Sequence, residues 1–202
     1  MNDVYLRYGG LLKALYSTND PLSFILRGHL YCEVAITRLL ERKLPNPDAL
    51  NLDRMMFYQK LKLAEATHAV PVYLVEGLTK LNALRNKYAH RLDYAATDED
   101  QAAVLAAVRH GLQEPLSSLL PDNLTFPIGL KRAILLLWFS LELSLAPDFE
   151  TGSEMILASI SMIAQVALIE DPERTERLRQ GLVSLVTRAV GALRAAAKPK
   201  TD

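Results

Sequence analysis

Cysteine, net charge and long apolar runs are all scarce in this sequence. Only one of the 202 residues is cysteine, Cys32, which excludes an internal disulfide and makes a reducing compartment the expected location. The 23 Lys and Arg residues are balanced by 23 Asp and Glu residues, which excludes a protein that coats nucleic acid through its overall charge. Glycine and proline are also few, 9 and 10, and half of the residues are hydrophobic, which is typical of a folded globular protein.

The longest apolar stretches are too short to cross a membrane. Residues 133–140 (AILLLWFS) are bracketed by charged residues, and residues 155–169 fall short of the roughly 18 to 20 that a spanning helix needs. The N-terminus has no apolar run followed by small residues, so no signal peptide is expected. We therefore predict a cytoplasmic protein without a membrane segment, in which both stretches lie in the core or in a subunit interface.

Apolar residues recur with helical spacing along most of the chain, and strand-like alternation is almost absent. Asp20 followed by Pro21 is a helix start signal, and Thr97 followed by three acidic residues is another. The predicted fold is an all-α antiparallel bundle of about seven helices. The predicted helices cover residues 22–43, 52–68, 72–92, 97–112, 128–145, 153–170 and 171–197.

The connection over residues 113–126 is the one candidate for a domain boundary. It contains Pro115 and Pro121, which discourage a continuous helix. We expect residues 1–112 to form a helical bundle and the helices over residues 127–197 to pack on it. The two parts then form either separate units or one continuous domain.

The residues most informative about function lie on the third predicted helix, within residues 78–92 (LTKLNALRNKYAHRL). A polar face of this helix holds Asn82, Arg85, Asn86 and His90. Asn86 and His90 are four residues apart and able to touch, whereas Arg85 and His90 diverge by about 140° on a regular helix. Next to this face lies the predicted core stripe, which consists of Leu81, Leu84, Tyr88 and Leu92.

Arg85 and His90 are residue types that suit metal-independent cleavage of RNA. A guanidinium offers a planar fork for phosphate oxygens, and histidine transfers a proton near neutral pH. Attack of a 2′-hydroxyl on its own phosphate needs that proton removed and the charge on phosphorus stabilised, which requires no metal if Arg85 supplies the charge. The helix carries cations and no acid in this stretch, so we expect Lys80, Lys87 and Arg91 to bind substrate. No Gly-rich phosphate loop or zinc-type Cys/His spacing is present in the sequence, so we expect no metal or cofactor.

The pattern L-x-x-L-N-x-L-R-N-x-x-A-H, formed by residues 78–90, resembles the signature helix of the HEPN superfamily. The resemblance covers about residues 22–112 and implies a compact helical bundle that forms a homodimer. Many members are metal-independent ribonucleases in toxin–antitoxin pairs, antiviral defence or RNA processing. The resemblance makes Arg85 and His90 the catalytic pair and Asn86 the polar residue after the arginine, with the two motifs of a dimer facing each other across one cleft. RNA and a cognate antitoxin or regulatory protein are the implied partners.

Two interpretations of this motif stay open. In the first, the chain is an endoribonuclease in which His90 transfers the proton, Arg85 holds the scissile phosphate and Asn86 orients one of them. In the second, the same polar face is a recognition or dimer surface of a non-catalytic regulator, similar to mannitol-operon-repressor-like proteins. One toxin branch of the superfamily has a regulatory tyrosine two residues after the histidine. Leu92 stands there in this chain, so that regulation is not expected.

The other reactive residue types are expected to be structural. His29 is predicted to be a surface or half-buried polar residue. Glu65 and His68 have the spacing of half a di-iron site, but the second copy that such a site needs is missing from the sequence, so a solvated helix face is predicted. Cys32 is predicted to pack in the core, and Trp138 in the core or in an interface.

Overall fold

The computed structural model describes residues 2–111, 120 and 124–146, and within these residues all regular secondary structure is helical. The all-α prediction is therefore confirmed. Two short 3₁₀ turns, Pro47–Leu50 and Leu52–Arg54, lie between the second and third α-helices. The α-helices of the described residues are α1 Asn2–Tyr16, α2 Pro21–Lys43, α3 Phe57–Ala66, α4 Val72–His90, α5 Asp98–Gly111 and α6 Ile128–Ser144. The helices predicted over residues 153–170 and 171–197 lie outside the described residues.

Both predicted start signals act as helix caps. The carboxylate of Asp20 accepts the backbone N–H of Ser23 at 2.9 Å, and Pro21 is the first residue of α2. At the start of α5, the N–H of Asp100 donates to the hydroxyl of Thr97 at 3.3 Å, and the N–H of Thr97 donates to the Asp100 carboxylate at 3.0 Å. Local side-chain chemistry therefore sets where α2 and α5 begin.

The single helix predicted over residues 52–68 is wrong, because the chain is extended at Met56 before α3 begins. The N–H of Met56 donates to the Gln59 side chain at 2.9 Å, which fixes this break. The break matters for function because it turns the start of α3 toward α2 and α4, where residues 56–58 line a cleft.

The helix α1 was not predicted, since no capping signal precedes it and it contains two adjacent glycines, Gly9 and Gly10. Packing holds it in place: Leu11 and Leu15 are fully buried, and α1 packs against α2 and α6. Tertiary burial therefore outweighs the weak local preference for helix.

The helix α6 forms the centre of the core. All residues from 133 to 140 are buried, because α1, α2, α4 and α5 each pack against this helix. Trp138 is 1% exposed, and its ring lies 6.0 Å from that of Tyr8. Gly28 lets α2 approach α6 closely, since a Cβ there would overlap the side chain of Ile134. The helix thus belongs to one compact unit, Met1–Leu145, together with the five helices before it.

Two charged residues of α6 are buried and paired. The carboxylate of Glu142 accepts hydrogen bonds from Arg38 at 2.7 and 3.0 Å and from Arg7 at 3.1 Å, which ties α6 to α2 and α1. The ammonium group of Lys131 donates to the Thr18 carbonyl at 2.8 Å, in the connection between α1 and α2. Within the described residues, no helix is both long enough and apolar enough to span a membrane.

The predicted core stripe of α4 is correct for its first half only. Leu81 and Leu84 are buried, but Tyr88 is half-buried and Leu92 is fully exposed. The prediction for Leu92 is wrong because α4 ends two residues before it, at the point where the chain turns back. The ring of Tyr94 then packs edge-on against Tyr88, with centroids 4.9 Å apart.

Candidate functional site

Arg85 and Asn86 line an open cleft with a volume of about 280 Å³. The cleft lies between α2, the start of α3 and the C-terminal half of α4. Its volume is close to the lower end of the range for small-molecule sites, roughly 300–1,000 Å³. The lining residues are His29 and Glu33 from α2, Met56, Phe57 and Tyr58 at the start of α3, and Asn82, Arg85 and Asn86 from α4.

The wall that α4 contributes consists of polar side chains on neighbouring turns. Asn82, Arg85 and Asn86 are three and four residues apart, so they share one helix face, and all three are half-buried. One guanidinium nitrogen of Arg85 donates to Asn86 Oδ1 at 3.2 Å. Because arginine only donates, this contact fixes the oxygen of the Asn86 amide toward Arg85 and leaves its NH₂ group as a donor on the other side.

His29 faces this wall from α2, and the prediction that it is a surface or half-buried residue is wrong. It is 4% exposed, its ring packs against Phe57 with centroids 4.1 Å apart, and its Nε2 lies 3.0 Å from Asn82 Oδ1. Burial lowers the pKa of His29 and nearby Arg85 lowers it further, while the Asn82 hydrogen bond and the Glu33 charge oppose the shift without cancelling it. His29 is therefore neutral near pH 7 and donates to Asn82 through Nε2.

Glu33 contributes the one carboxylate among the lining residues, and this charge is neutralised by a lysine from α3. Lys60 Nζ lies 2.8 Å from Glu33 Oε1, and the Lys60 side chain is only 6% exposed. The remaining charge in the cleft wall is the guanidinium of Arg85. A wall with one uncompensated cation, and with amide NH₂ groups whose oxygens are already held within the protein, favours an anionic ligand.

His90 is the last residue of α4 and is exposed, and it is not among the residues that line the cleft. The structure thus brings Arg85 and Asn86 together in one wall but leaves His90 outside that wall. Asn86 lies between them: it is four residues from His90, which corresponds to about 6 Å along the helix and a rotation of about 40°. A ligand that extends past Asn86 toward the end of α4 would reach the His90 side chain.

The three residues predicted to bind substrate, Lys80, Lys87 and Arg91, are exposed and do not line the cleft. Lys87 pairs with Asp100 at 2.6 Å, and this hydrogen bond raises the pKa of Lys87. Partial burial acts to raise the pKa of Asp100, but hydrogen bonds from Lys87, Tyr94 and Thr97 outweigh it and lower that pKa to about 2. The charge of Lys87 is therefore matched within the chain.

Of the remaining candidate residues, Cys32 and Trp138 are buried as predicted, whereas His68 lies beyond the end of α3, so the helix face predicted for it is wrong. Cys32 is fully buried, and burial raises the pKa of its thiol, which makes it a poor nucleophile. Trp138 lies in the core. Glu65 pairs with Lys62 on the surface of α3 at 2.8 Å. Among the described residues, no group of three or more His, Cys, Asp or Glu side chains is arranged to hold a metal ion.

Several residues of the cleft carry no signal in the sequence. His29 and Asn82 are 53 positions apart, and Glu33 and Lys60 are 27 apart, so their pairing depends on how α2, α3 and α4 pack. Asn82 is the exception, since its spacing from Arg85 already places it on the same helix face.

Comparison of the chain with family models, with curated proteins and with solved structures gives no match.

Proposed function

We propose that this protein is a metal-independent endoribonuclease in which Arg85 binds the scissile phosphate at the cleft. The observation that supports this function best is the half-buried guanidinium in an open cleft whose single carboxylate is already neutralised. Such a cation is partly desolvated and fixed by Asn86, so it stabilises charge that develops on a phosphate more effectively than a mobile surface lysine. The HEPN-like pattern of residues 78–90 is in accord with this role.

In this mechanism the imidazole of His90 removes the proton from the 2′-hydroxyl. The 2′-oxygen then attacks phosphorus, the bond from phosphorus to the 5′-oxygen breaks, and the 5′-oxygen takes up a proton. Arg85 holds the phosphoryl oxygens throughout, and Asn86 orients the phosphate between Arg85 and His90. No metal is needed, because the guanidinium supplies the positive charge.

A homodimer is part of this proposal. Arg85 and His90 of one chain point about 140° apart around α4, whereas residues from two chains can face the same phosphate. In a dimer, His90 of one chain acts on a phosphate held by Arg85 of the other, and the second His90 protonates the leaving oxygen. The surface of α2 beside the cleft supports such an association. Leu30 and Val34 directly follow the cleft residues His29 and Glu33 and are 57% and 54% exposed. We place the protein in the cytoplasm, with RNA as substrate and a cognate antitoxin or regulatory protein as a further partner.

Cleavage of RNA in the presence of EDTA tests this function. We expect the wild-type protein to cut RNA. His90→Ala and Arg85→Ala should each lose at least about 100-fold in rate, which is the lower end of a typical acid–base contribution for His90 and of a typical electrostatic contribution for Arg85. His110→Ala is the matched control, since this histidine is also exposed near the end of a helix but lies on α5. Cleavage that survives in both His90→Ala and Arg85→Ala would refute the assignment.

The second candidate function is a non-catalytic regulatory or partner-binding dimer. It is favoured by the pairing of Arg85 with Asn86 and of His29 with Asn82, which satisfies these groups without a ligand. In that case the wild-type protein cuts no RNA, and Arg85→Ala weakens dimer assembly or folding. Sedimentation of both proteins at several concentrations distinguishes this outcome from the loss of catalysis alone.

A further inference from the structure

We infer that the cleft binds one unpaired nucleotide, with the phosphate on the α4 wall and the base against the exposed ring of Tyr58. This inference rests on the proposed function for the identity of the ligand as part of an RNA. The motif on α4 accounts for the phosphate only. The inference adds a second subsite, at the start of α3, that binds the base.

The phosphate end of the subsite is defined by donors. Arg85 donates from a half-buried position, and the Asn86 oxygen is held by Arg85, so the Asn86 NH₂ group is left to a ligand. The Asn82 oxygen is held in the same way by His29. Glu33 does not repel an anion strongly, because Lys60 neutralises it at 2.8 Å.

The base end of the subsite is defined by exposed side chains at the start of α3, where Lys62 Nζ lies 5.8 Å from the centroid of the Tyr58 ring and adds a positive charge beside it. At the start of α3, Phe57 is 5% exposed and packs on His29, whereas its neighbours Met56 and Tyr58 are 67% and 51% exposed and still line the cleft. A ring at the edge of a positively charged cleft is the arrangement that stacks unpaired bases. Such stacking contributes roughly 5- to 150-fold in affinity per base and tolerates any base.

Stacking of a base on Tyr58 favours single-stranded RNA as the ligand. With a volume of about 280 Å³, the cleft has room for a ligand the size of one nucleotide. A base that stacks on Tyr58 must leave its own helix, and a duplex resists this because unstacking a paired base is costly. We therefore expect cleavage in loops and single strands and little cleavage within duplexes.

Calorimetric titration with adenosine 5′-monophosphate, inorganic phosphate and adenosine tests this subsite without relying on catalysis. All titrations contain EDTA. We expect wild-type protein to bind the nucleotide at least about 5-fold more tightly than either part alone. Tyr58→Ala should lose this advantage and bind phosphate unchanged, Tyr58→Phe should keep it, and Arg85→Ala should lose the phosphate contribution. Because the Tyr58 side chain is half exposed, its removal leaves the core intact.

Each outcome separates the subsite from the proposed catalysis. If the nucleotide binds no more tightly than inorganic phosphate, or if Tyr58→Ala binds it as the wild type does, the subsite is refuted even when RNA is cut and His90→Ala abolishes cutting. If the nucleotide binds as expected and Tyr58→Ala weakens it, the subsite is supported even when no RNA is cut, and only the catalytic function falls.

Discussion

Replacement of Glu142 by glutamine tests whether the buried ion pairs of α6 hold the fold together. The Glu142 side chain is 1% exposed and contacts Arg38 at 2.7 Å and Arg7 at 3.1 Å. Glu142→Gln keeps the shape of the side chain and one acceptor oxygen but removes the charge. Arg38 on α2 then loses its anionic partner inside the bundle, and Arg7 on α1 loses one of its contacts.

The expected loss follows from the burial of the three side chains. Breaking a buried ion pair by removing one partner costs about 3–5 kcal/mol, because a charge remains without its counterion. The Arg7 and Arg38 side chains keep 21% and 33% exposure, so water still solvates part of each charge. We therefore expect Glu142→Gln to lower the free energy of unfolding by about 2–3 kcal/mol. For a chain of this length, this corresponds to a fall in Tm of roughly 4–12 °C.

Urea and thermal unfolding followed by circular dichroism measure this loss. Glu65→Gln is the matched control, because Glu65 also pairs with a basic side chain at 2.8 Å but on the exposed surface of α3. Screening by water makes such a pair nearly neutral for stability, so Glu65→Gln should unfold almost as the wild type does. If both variants lose the same free energy of unfolding, the burial of Glu142 does not determine how much it contributes to stability.

Two further stability predictions concern His29 and the glycines. Burial lowers the pKa of His29 from its usual value of 6.5. Below pH 6.5 the unfolded chain therefore binds a proton that the native chain does not. The free energy of unfolding then decreases as the pH is lowered, until the native His29 also binds a proton. The loss in urea midpoint between about pH 7.5 and about pH 5.5 should be smaller in His29→Gln than in the wild type, and equal losses would contradict this account. Gly111→Ala should destabilise the protein by about 1–3 kcal/mol, because the new Cβ overlaps the backbone carbonyl of Tyr73. Gly9→Ala should stabilise α1 by about 0.5–1 kcal/mol, because among the described residues its new Cβ meets nothing within 4 Å apart from its chain neighbours and its own helix backbone. Thermal melts in the opposite order would refute both assignments.

The sequence predicts those parts of the fold that depend on local chemistry. The starts of α2 and α5 follow from the capping residues Asp20 and Thr97, and the apolar run over residues 133–140 indicates the buried α6. The end of α4 is less predictable, because helical periodicity continues through Leu92 although the chain leaves the helix at His90. Contacts of the following loop with Tyr88 produce this turn, and periodicity does not encode them.

The candidate site is predictable only where it lies on a single helix. Spacing along α4 places Asn82, Arg85 and Asn86 on one face, and in the structure all three line one cleft. The opposite wall of the cleft depends on how α2 and α3 pack against α4. The sequence around His29 or Tyr58 therefore does not predict that either residue lines the cleft. The catalytic roles of Arg85 and His90 stay a prediction.

Analysis of the ends of the cleaved RNA tests the central claim most directly. Attack by the 2′-hydroxyl predicts fragments that end in a 2′,3′-cyclic phosphate and begin with a 5′-hydroxyl, formed in EDTA by the wild type but not by His90→Ala. A substrate with a 2′-deoxy sugar at the cleavage site should resist cleavage. Fragments that begin with a 5′-phosphate, or cleavage of the deoxy substrate, would contradict the mechanism.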